Sequence, residues 1–161
     1  MILVVENINN IKVDNEVPSY FIKNKYSKYE YQVISNVLKN NYNIADFKVL
    51  YTKNAKPYLD NSNLYLSISH DNDILAICFD DKEVGIDLQF YNNDSIKVKG
   101  FLNINSNNSK DIIDIYSKKE AIIKLEGKRL KDINDIDITK YNIKSFPNDD
   151  YSLNMAYFLE K

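Results

Sequence analysis

Hydrophobic and polar positions along this chain follow two spacings, and they divide it into short strands and two helices. Met1 to Ile8 carries a β-branched run that predicts a strand. Asn9 to Glu16 is polar and turn-like, and Pro18 opens a short helical or extended piece through Asn24. From Ser27 to Asn41, Tyr31, Ile34, Val37 and Leu38 make an apolar stripe at helical spacing, ended by Asn40 and Asn41. Strands are expected at Lys48–Tyr51, Leu64–Ser69, Ile74–Phe79 and Val84–Leu88. A loop with a helical turn before Phe101 follows, then the longest helix, then strands near Ile136–Thr139, Tyr141–Ser145 and Ser152–Phe158.

The long helix spans Ser109 to Glu126. Ser109 is the expected N-cap, since its hydroxyl can accept a bond from a first-turn amide. Asp111 and Asp114 lie near the positive end of the helix dipole, and Lys118, Lys119, Lys124 and Lys128 toward the negative end. Gly127 is a natural left-handed stop. Ile112, Ile115, Ile122 and Leu125 form the face to be buried. On a neighbouring face Tyr116, Glu120 and Lys124 lie four apart and stack above one another. Glu120 and Lys124 read either as a solvated ion pair or as part of a site. Upstream, the strand Glu83 to Leu88 carries Asp87 alone among apolar residues. A buried ionised aspartate needs a partner or a metal, and Asp87 with Glu120 makes a plausible two-carboxylate magnesium site of the kind completed by phosphates and water.

Composition narrows the classes. A chain of 161 residues with 44% hydrophobic residues can bury a core as one domain or as two small halves packed together. A net charge of −2 argues against general nucleic-acid binding. The single Cys78 sits in an apolar run and reads as a core residue with no disulfide partner. The opening Ile2–Val5 run is too short for a membrane span and lacks a signal peptide's basic start, so a cytoplasmic protein without membrane partners is expected. There is no dinucleotide fingerprint, Walker loop or paired-cysteine zinc motif, and three glycines exclude glycine-rich phosphate loops. A serine–histidine hydrolase would have to use His70 with no elbow motif in support.

Four motifs in order resemble those of the 4′-phosphopantetheinyl transferases, and the larger, Sfp-like branch is the more similar. They are Lys56-Pro57-Tyr58, Ser67-Ile68-Ser69-His70, Val84-Gly85-Ile86-Asp87, and the Tyr116 to Lys124 segment followed by Glu126-Gly127-Lys128. The resemblance implies an α+β pseudo-dimer of two similar halves, here residues 1–83 and 84–161, with the active site between them. The repeated order of strand, helix and strands fits that architecture. It implies a monomeric holo-acyl-carrier-protein synthase that moves phosphopantetheine from coenzyme A to a serine of an acyl or peptidyl carrier protein. Asp87 and Glu120 would hold Mg²⁺, with Gln89 acting through a water. Lys124 would reach an α-phosphate oxygen, and Glu120 would act as the base, directly or through a metal-bound water. Lys56, Ser69 and His70 match positions that contact the 3′-phosphate and nearby coenzyme A groups, and Lys119 matches a further phosphate contact. Lys56 also reads as a turn lysine and Lys119 as a surface one.

The chain departs from the pattern in several places. Gln89 stands where a third acid is usual, the segment Lys97 to Asn108 has no acid, and the N-terminal arginines are missing. These departures motivate the alternative of a family member that binds coenzyme A or a carrier protein without turnover.

Overall fold

Two three-stranded antiparallel sheets of the same strand order organise the chain. In the computed structural model, which describes residues 1–160, β1 (Ile2–Asn7) is followed by helix α1 (Ser27–Tyr42), the small hairpin β2 (Val49–Tyr51) and β3 (Pro57–Leu59), then β4 (Tyr65–Asp71) and β5 (Ile74–Asp80). The first sheet runs β1-β5-β4. The second begins with β6 (Gly85–Phe90), passes through the short helix α2 (Ser95–Lys99) and the long helix α3 (Ser109–Glu126), and closes with β7 (Tyr141–Phe146) and β8 (Tyr151–Phe158). Its order is β6-β8-β7, so in each sheet the opening strand pairs with the last strand and that strand with the one before it. The fold is mixed α+β. Lys161 lies outside the described residues.

Alternation along the strands sets the layers. Leu75, Ile77 and Phe79 on one face of β5 pack with Ile34 and Leu38 of α1. Ala76 and Cys78 on the other face meet Ile86 and Leu88 of β6 and Met155 of β8. Beyond the second sheet, Ala121, Ile122 and Leu125 of α3 pack with Ala156. Cys78 is a free, fully buried core residue, and burial pushes its thiol pKa up to about 12.

The facing edges of the sheets are joined through side chains. Ser67 Oγ accepts from the Ile86 amide at 3.0 Å, Ser69 Oγ from Leu88 at 3.0 Å, and Asp71 Oδ2 from Phe90 at 2.8 Å. Alternate side chains of β4 thus satisfy alternate amides of the edge strand β6, which would otherwise be left without partners. On the other side of β6, Gly85 lets α3 approach. A Cβ there would lie 2.0 Å from the Ala121 carbonyl oxygen and 2.4 Å from the Leu125 amide.

Several elements differ from the sequence expectation. The N-cap of α3 is Asn108, whose side chain accepts from the Asp111 amide at 3.1 Å, while Ser109 opens the helix and its hydroxyl meets Ser95. Helix α1 continues past Asn41 to Tyr42 and is closed by Asn43 at φ 55. The strand expected near Ile136–Thr139 is instead the link between two 3-10 turns, Leu130–Asp135 and Ile138–Lys140, and the start of the second. There the Asp137 carboxylate accepts from the Thr139 amide and hydroxyl, a local alternative to strand pairing. Pro57–Leu59, not expected as a strand, pairs with β2, and proline is tolerated because it opens the strand. Among the described residues, no helix is long and apolar enough to cross a membrane.

Gly85→Ala should force α3 off β6, because both clashing atoms are backbone. Overpacking of this kind costs about 1–3 kcal/mol or more. Urea unfolding should show a lowered midpoint; an unchanged midpoint would mean that α3 does not need this close approach.

Candidate functional site

Asp87 lies in the middle of β6, 1% exposed, on the face that looks toward α3. Its charge is compensated from within the chain. Lys124 Nζ donates to Oδ1 at 2.8 Å, Ser69 Oγ to the same oxygen at 3.1 Å, and Gln89 Nε2 to Oδ2 at 3.1 Å. Each partner comes from a different piece of local structure. Lys124 is one turn beyond Glu120 on α3, Ser69 is a seam residue of β4, and Gln89 is two residues along the same strand face. Lys124 therefore pairs with Asp87 rather than forming the solvated pair with Glu120 that its spacing allowed.

Glu120 completes a second carboxylate on the same side of the helix. Burial raises its pKa above the usual glutamate value, and the Asp87 charge raises it further, against the lowering effects of Lys124 and of Tyr116. Burial and the Glu120 charge in turn raise the Tyr116 phenol. Two acids within electrostatic reach, one already disfavoured in its charged form, suit a divalent cation, whose charge removes their repulsion. Among the described residues no three His, Cys, Asp or Glu side chains form a ligand cluster. Asp87 and Glu120 are the two carboxylates here that could hold a cation, and a hard cation such as Mg²⁺ would need its remaining oxygen ligands from elsewhere. Gln89 turns its amide nitrogen to Asp87, while its oxygen accepts from Asn93 Nδ2 at 3.2 Å. As placed it orients Asp87 and offers no oxygen of its own.

Beneath Asp87 runs a polar network that sequence reading missed. Ser117 Oγ donates to the Asp87 carbonyl at 3.2 Å and accepts from Asn154 Nδ2 at 3.1 Å. Asn154 stands opposite Asp87 in the β6–β8 register. Fully buried Ser117 in the middle of a helix was the available signal, visible only once the facing strand is known.

The other expected phosphate contacts distribute differently. Lys56 lies against the end of α3, donating to the Leu125 carbonyl, with Glu83 Oε1 at 3.6 Å. It shares with Ser67, Lys124 and Lys128 a cleft of about 200 Å³. A larger cleft of about 510 Å³, between Asp80, Tyr157 and Leu159, holds none of the Asp87 group. Lys119 donates to the Ile133 carbonyl at 3.0 Å, and burial lowers its pKa. It stands roughly 100° around the helix from Glu120, and none of its contacts joins it to Asp87. His70 faces α1. Its Nε2 lies 3.5 Å from Glu30 Oε1, and its ring stacks on Tyr26 with centroids 3.8 Å apart. Burial, followed by the Lys124 charge, lowers its pKa. Glu30 and Tyr26 were also missed, although Tyr26, Glu30, Ile34 and Leu38 are four apart and place the acid inside the apolar stripe.

No protein-family model matches the chain, and no curated protein matches it. The reading of the site therefore rests on its own geometry.

Glu30 is 6% exposed, and burial lifts its carboxyl to about 7 against the lowering charges of Lys23 and Lys124. Its folded value exceeds the usual glutamate value of 4.5, so the folded state binds the proton more tightly. Its contribution to stability is complete below about pH 4.5 and is lost as pH rises to about 7, on the order of 3 kcal/mol. Urea titrations at pH 4.5 and 7.5 should show that loss in the wild type and its near absence in Glu30→Gln. An equal loss in both proteins would assign the pH dependence to other groups.

Proposed function

We propose that the chain is a magnesium-dependent 4′-phosphopantetheinyl transferase of the pseudo-dimeric α+β fold, acting on coenzyme A and an acyl or peptidyl carrier protein. The observation that carries this reading is the convergence on Asp87 of Lys124, Ser69 and Gln89, with the raised carboxyl of Glu120 one turn from Lys124. The repeated strand order of the two sheets, and the position of Asp87 where β4 meets β6, support the fold part of the proposal.

The reaction joins the carrier serine oxygen to the phosphopantetheine phosphorus and breaks that phosphorus's bond to the bridging pyrophosphate oxygen. The leaving group is adenosine 3′,5′-bisphosphate. Bound Mg²⁺ would supply charge neutralisation at the pyrophosphate, held by Asp87 and Glu120. Lys124 would release Asp87 Oδ1 and place its ammonium on an oxygen of the leaving phosphate, where negative charge develops. Gln89 and Ser69 would keep the Asp87 carboxylate oriented as Lys124 leaves. Glu120 would take the serine proton, directly or through a water held beside it. Lys56 and Lys128 would line the approach through the cleft they share with Lys124. Lys119, which donates to the Ile133 carbonyl, would reach a phosphate only by leaving that contact.

A second reading, a coenzyme A binder without turnover, has one observation in its favour: Gln89 presents a nitrogen where a third oxygen ligand would stand. One experiment separates the two. The protein is incubated with coenzyme A, Mg²⁺ and apo-carrier proteins, and the carrier mass is read. A phosphopantetheine-sized gain is expected. Glu120→Gln, Asp87→Asn and Lys124→Met should each slow it roughly 100- to 1,000-fold, the usual loss when a transition-state contact is removed. Coenzyme A binding with no gain on any apo-carrier would favour the binder, and near-normal turnover in Glu120→Gln would overturn the site.

A further inference from the structure

The polar network beneath Asp87 extends well past the carbonyl contact at its inner end. Asn154 of β8 is fully buried, and its Nδ2 donates to Ser117 Oγ at 3.1 Å and to Ser152 Oγ at 2.7 Å. Its Oδ1 accepts from Ser145 Oγ of β7 at 2.6 Å. Ser152 Oγ donates in turn to Asp114 Oδ1 at 2.8 Å, and Asp114 pairs with Lys118 one turn along α3. At the inner end Ser117 Oγ donates to the Asp87 carbonyl oxygen at 3.2 Å. None of these side-chain atoms is buried without a partner.

Ser117, Ser152 and Asn154 are thus buried polar side chains set between a helix and a sheet. Apolar groups of the same shape would hold the two layers together about as well, because paired hydrogen bonds add little net stability. What the bonds add is direction, which the apolar contacts of α3 lack. Ser117, Glu120 and Lys124 lie three and seven residues along one face of α3. Lys124 holds the Asp87 carboxylate and Ser117 holds the Asp87 carbonyl, so one helix face grips the same residue at two points. Glu120 falls between those points. In the reaction above Lys124 leaves Asp87 for the phosphate, and the Ser117 bond then remains as the polar tie between α3 and Asp87.

We infer that Ser117, held by Asn154, is a positioning residue that keeps Glu120 in register with Asp87 once Lys124 has moved. The two carboxylates can then reach one small divalent cation, and the network selects that cation by size. This rests on the site reading above and deepens it by naming what sets the carboxylate geometry. Mg²⁺ demands near-ideal octahedral bonds of about 2.0–2.1 Å, whereas Ca²⁺ accepts about 2.3–2.6 Å in looser arrangements. A slip of α3 along β6 should therefore cost affinity for Mg²⁺ more than affinity for Ca²⁺. Groups that orient a metal ligand are commonly worth about 10- to 100-fold in metal affinity. Ser117 acts through the main chain of Asp87, so the low end of that range is expected.

The test is calorimetric titration of the full chain with Mg²⁺ and with Ca²⁺, coenzyme A being present throughout and coenzyme A alone serving as the blank. Ser117→Ala keeps a good helix former in α3 and removes only the hydroxyl. It should weaken Mg²⁺ about tenfold and Ca²⁺ clearly less, so that the ratio of the two affinities falls. Asn154→Ser should move the ratio the same way from β8, and it carries the test if Ser117→Ala does not fold. Ile34→Val is the control, a truncation in the core against α1 that touches neither α3 nor β6. It should lower the urea midpoint and leave the wild-type ratio unchanged. A ratio that stays at the wild-type value in both network variants would overturn the inference while the site reading stands. The same fall in Ile34→Val would overturn it too, by tracing the effect to general loosening. No Mg²⁺ binding by wild type with coenzyme A would mean that the site reading fails and takes this inference with it.

Discussion

The seam in which β4 side chains satisfy β6 amides is the constraint on which the rest depends. Two edge strands meet there without forming a common ladder, and Ser67, Ser69 and Asp71 supply the missing acceptors at every second residue. Ser69 does two things at once, accepting from the Leu88 amide and donating to Asp87. Loss of its hydroxyl would leave a buried amide without a partner, and such a group costs about 1–3 kcal/mol. The period of two that carries Ser67, Ser69 and Asp71 toward β6 also turns Leu66, Ile68 and His70 to the α1 side. One strand thereby organises the Asp87 site on one face and the Glu30–His70 contact on the other.

A buried aspartate at such a seam is costly unless held, and the holding group is a partly exposed lysine. Lys124 is more than a quarter exposed at its side chain, whereas Asp87 is almost wholly enclosed. Removing Lys124 alone would leave an uncompensated buried charge, while replacing both by neutral groups removes the problem. In the proposed function, the same ammonium would serve both stability and ligand binding. The ammonium offsets the buried Asp87 charge, and a phosphate bound beside it would compete for the same group. Glu120, already disfavoured as an anion beside Asp87, gains from any positive charge brought between them.

Much of this was legible in the sequence, and the gaps have physical causes. Helical spacing placed α1 and α3, and the lone aspartate in an apolar strand marked Asp87 as needing a partner. Gly127 ended α3 in the left-handed conformation at φ 63. The close approach at Gly85 was not legible, because it depends on the facing helix backbone. Lys56 and Lys119 were read from motif positions, yet both side chains are engaged by main-chain carbonyls, of Leu125 and Ile133. The carbonyls they meet lie far along the chain from the motif (Leu125 for Lys56) or in a turn whose position the sequence does not fix (Ile133 for Lys119). The Ile136–Thr139 segment failed as a strand because Asp137 satisfies its neighbours locally. Glu30 was readable in principle, since a charged residue inside an apolar helical stripe signals a buried acid; its partner on β4 was not.

Under the proposed function, the Asp87, Glu120 and Lys124 group would be a pyrophosphate centre closed by Lys124 in the free protein. A crystal structure of the full chain with coenzyme A and Mg²⁺ tests it most directly. The pyrophosphate is expected between the two carboxylates and the lysine, with Lys124 moved off Asp87 Oδ1 and the three seam bonds unchanged. Coenzyme A seated elsewhere, with the Lys124–Asp87 pair still closed, would contradict it.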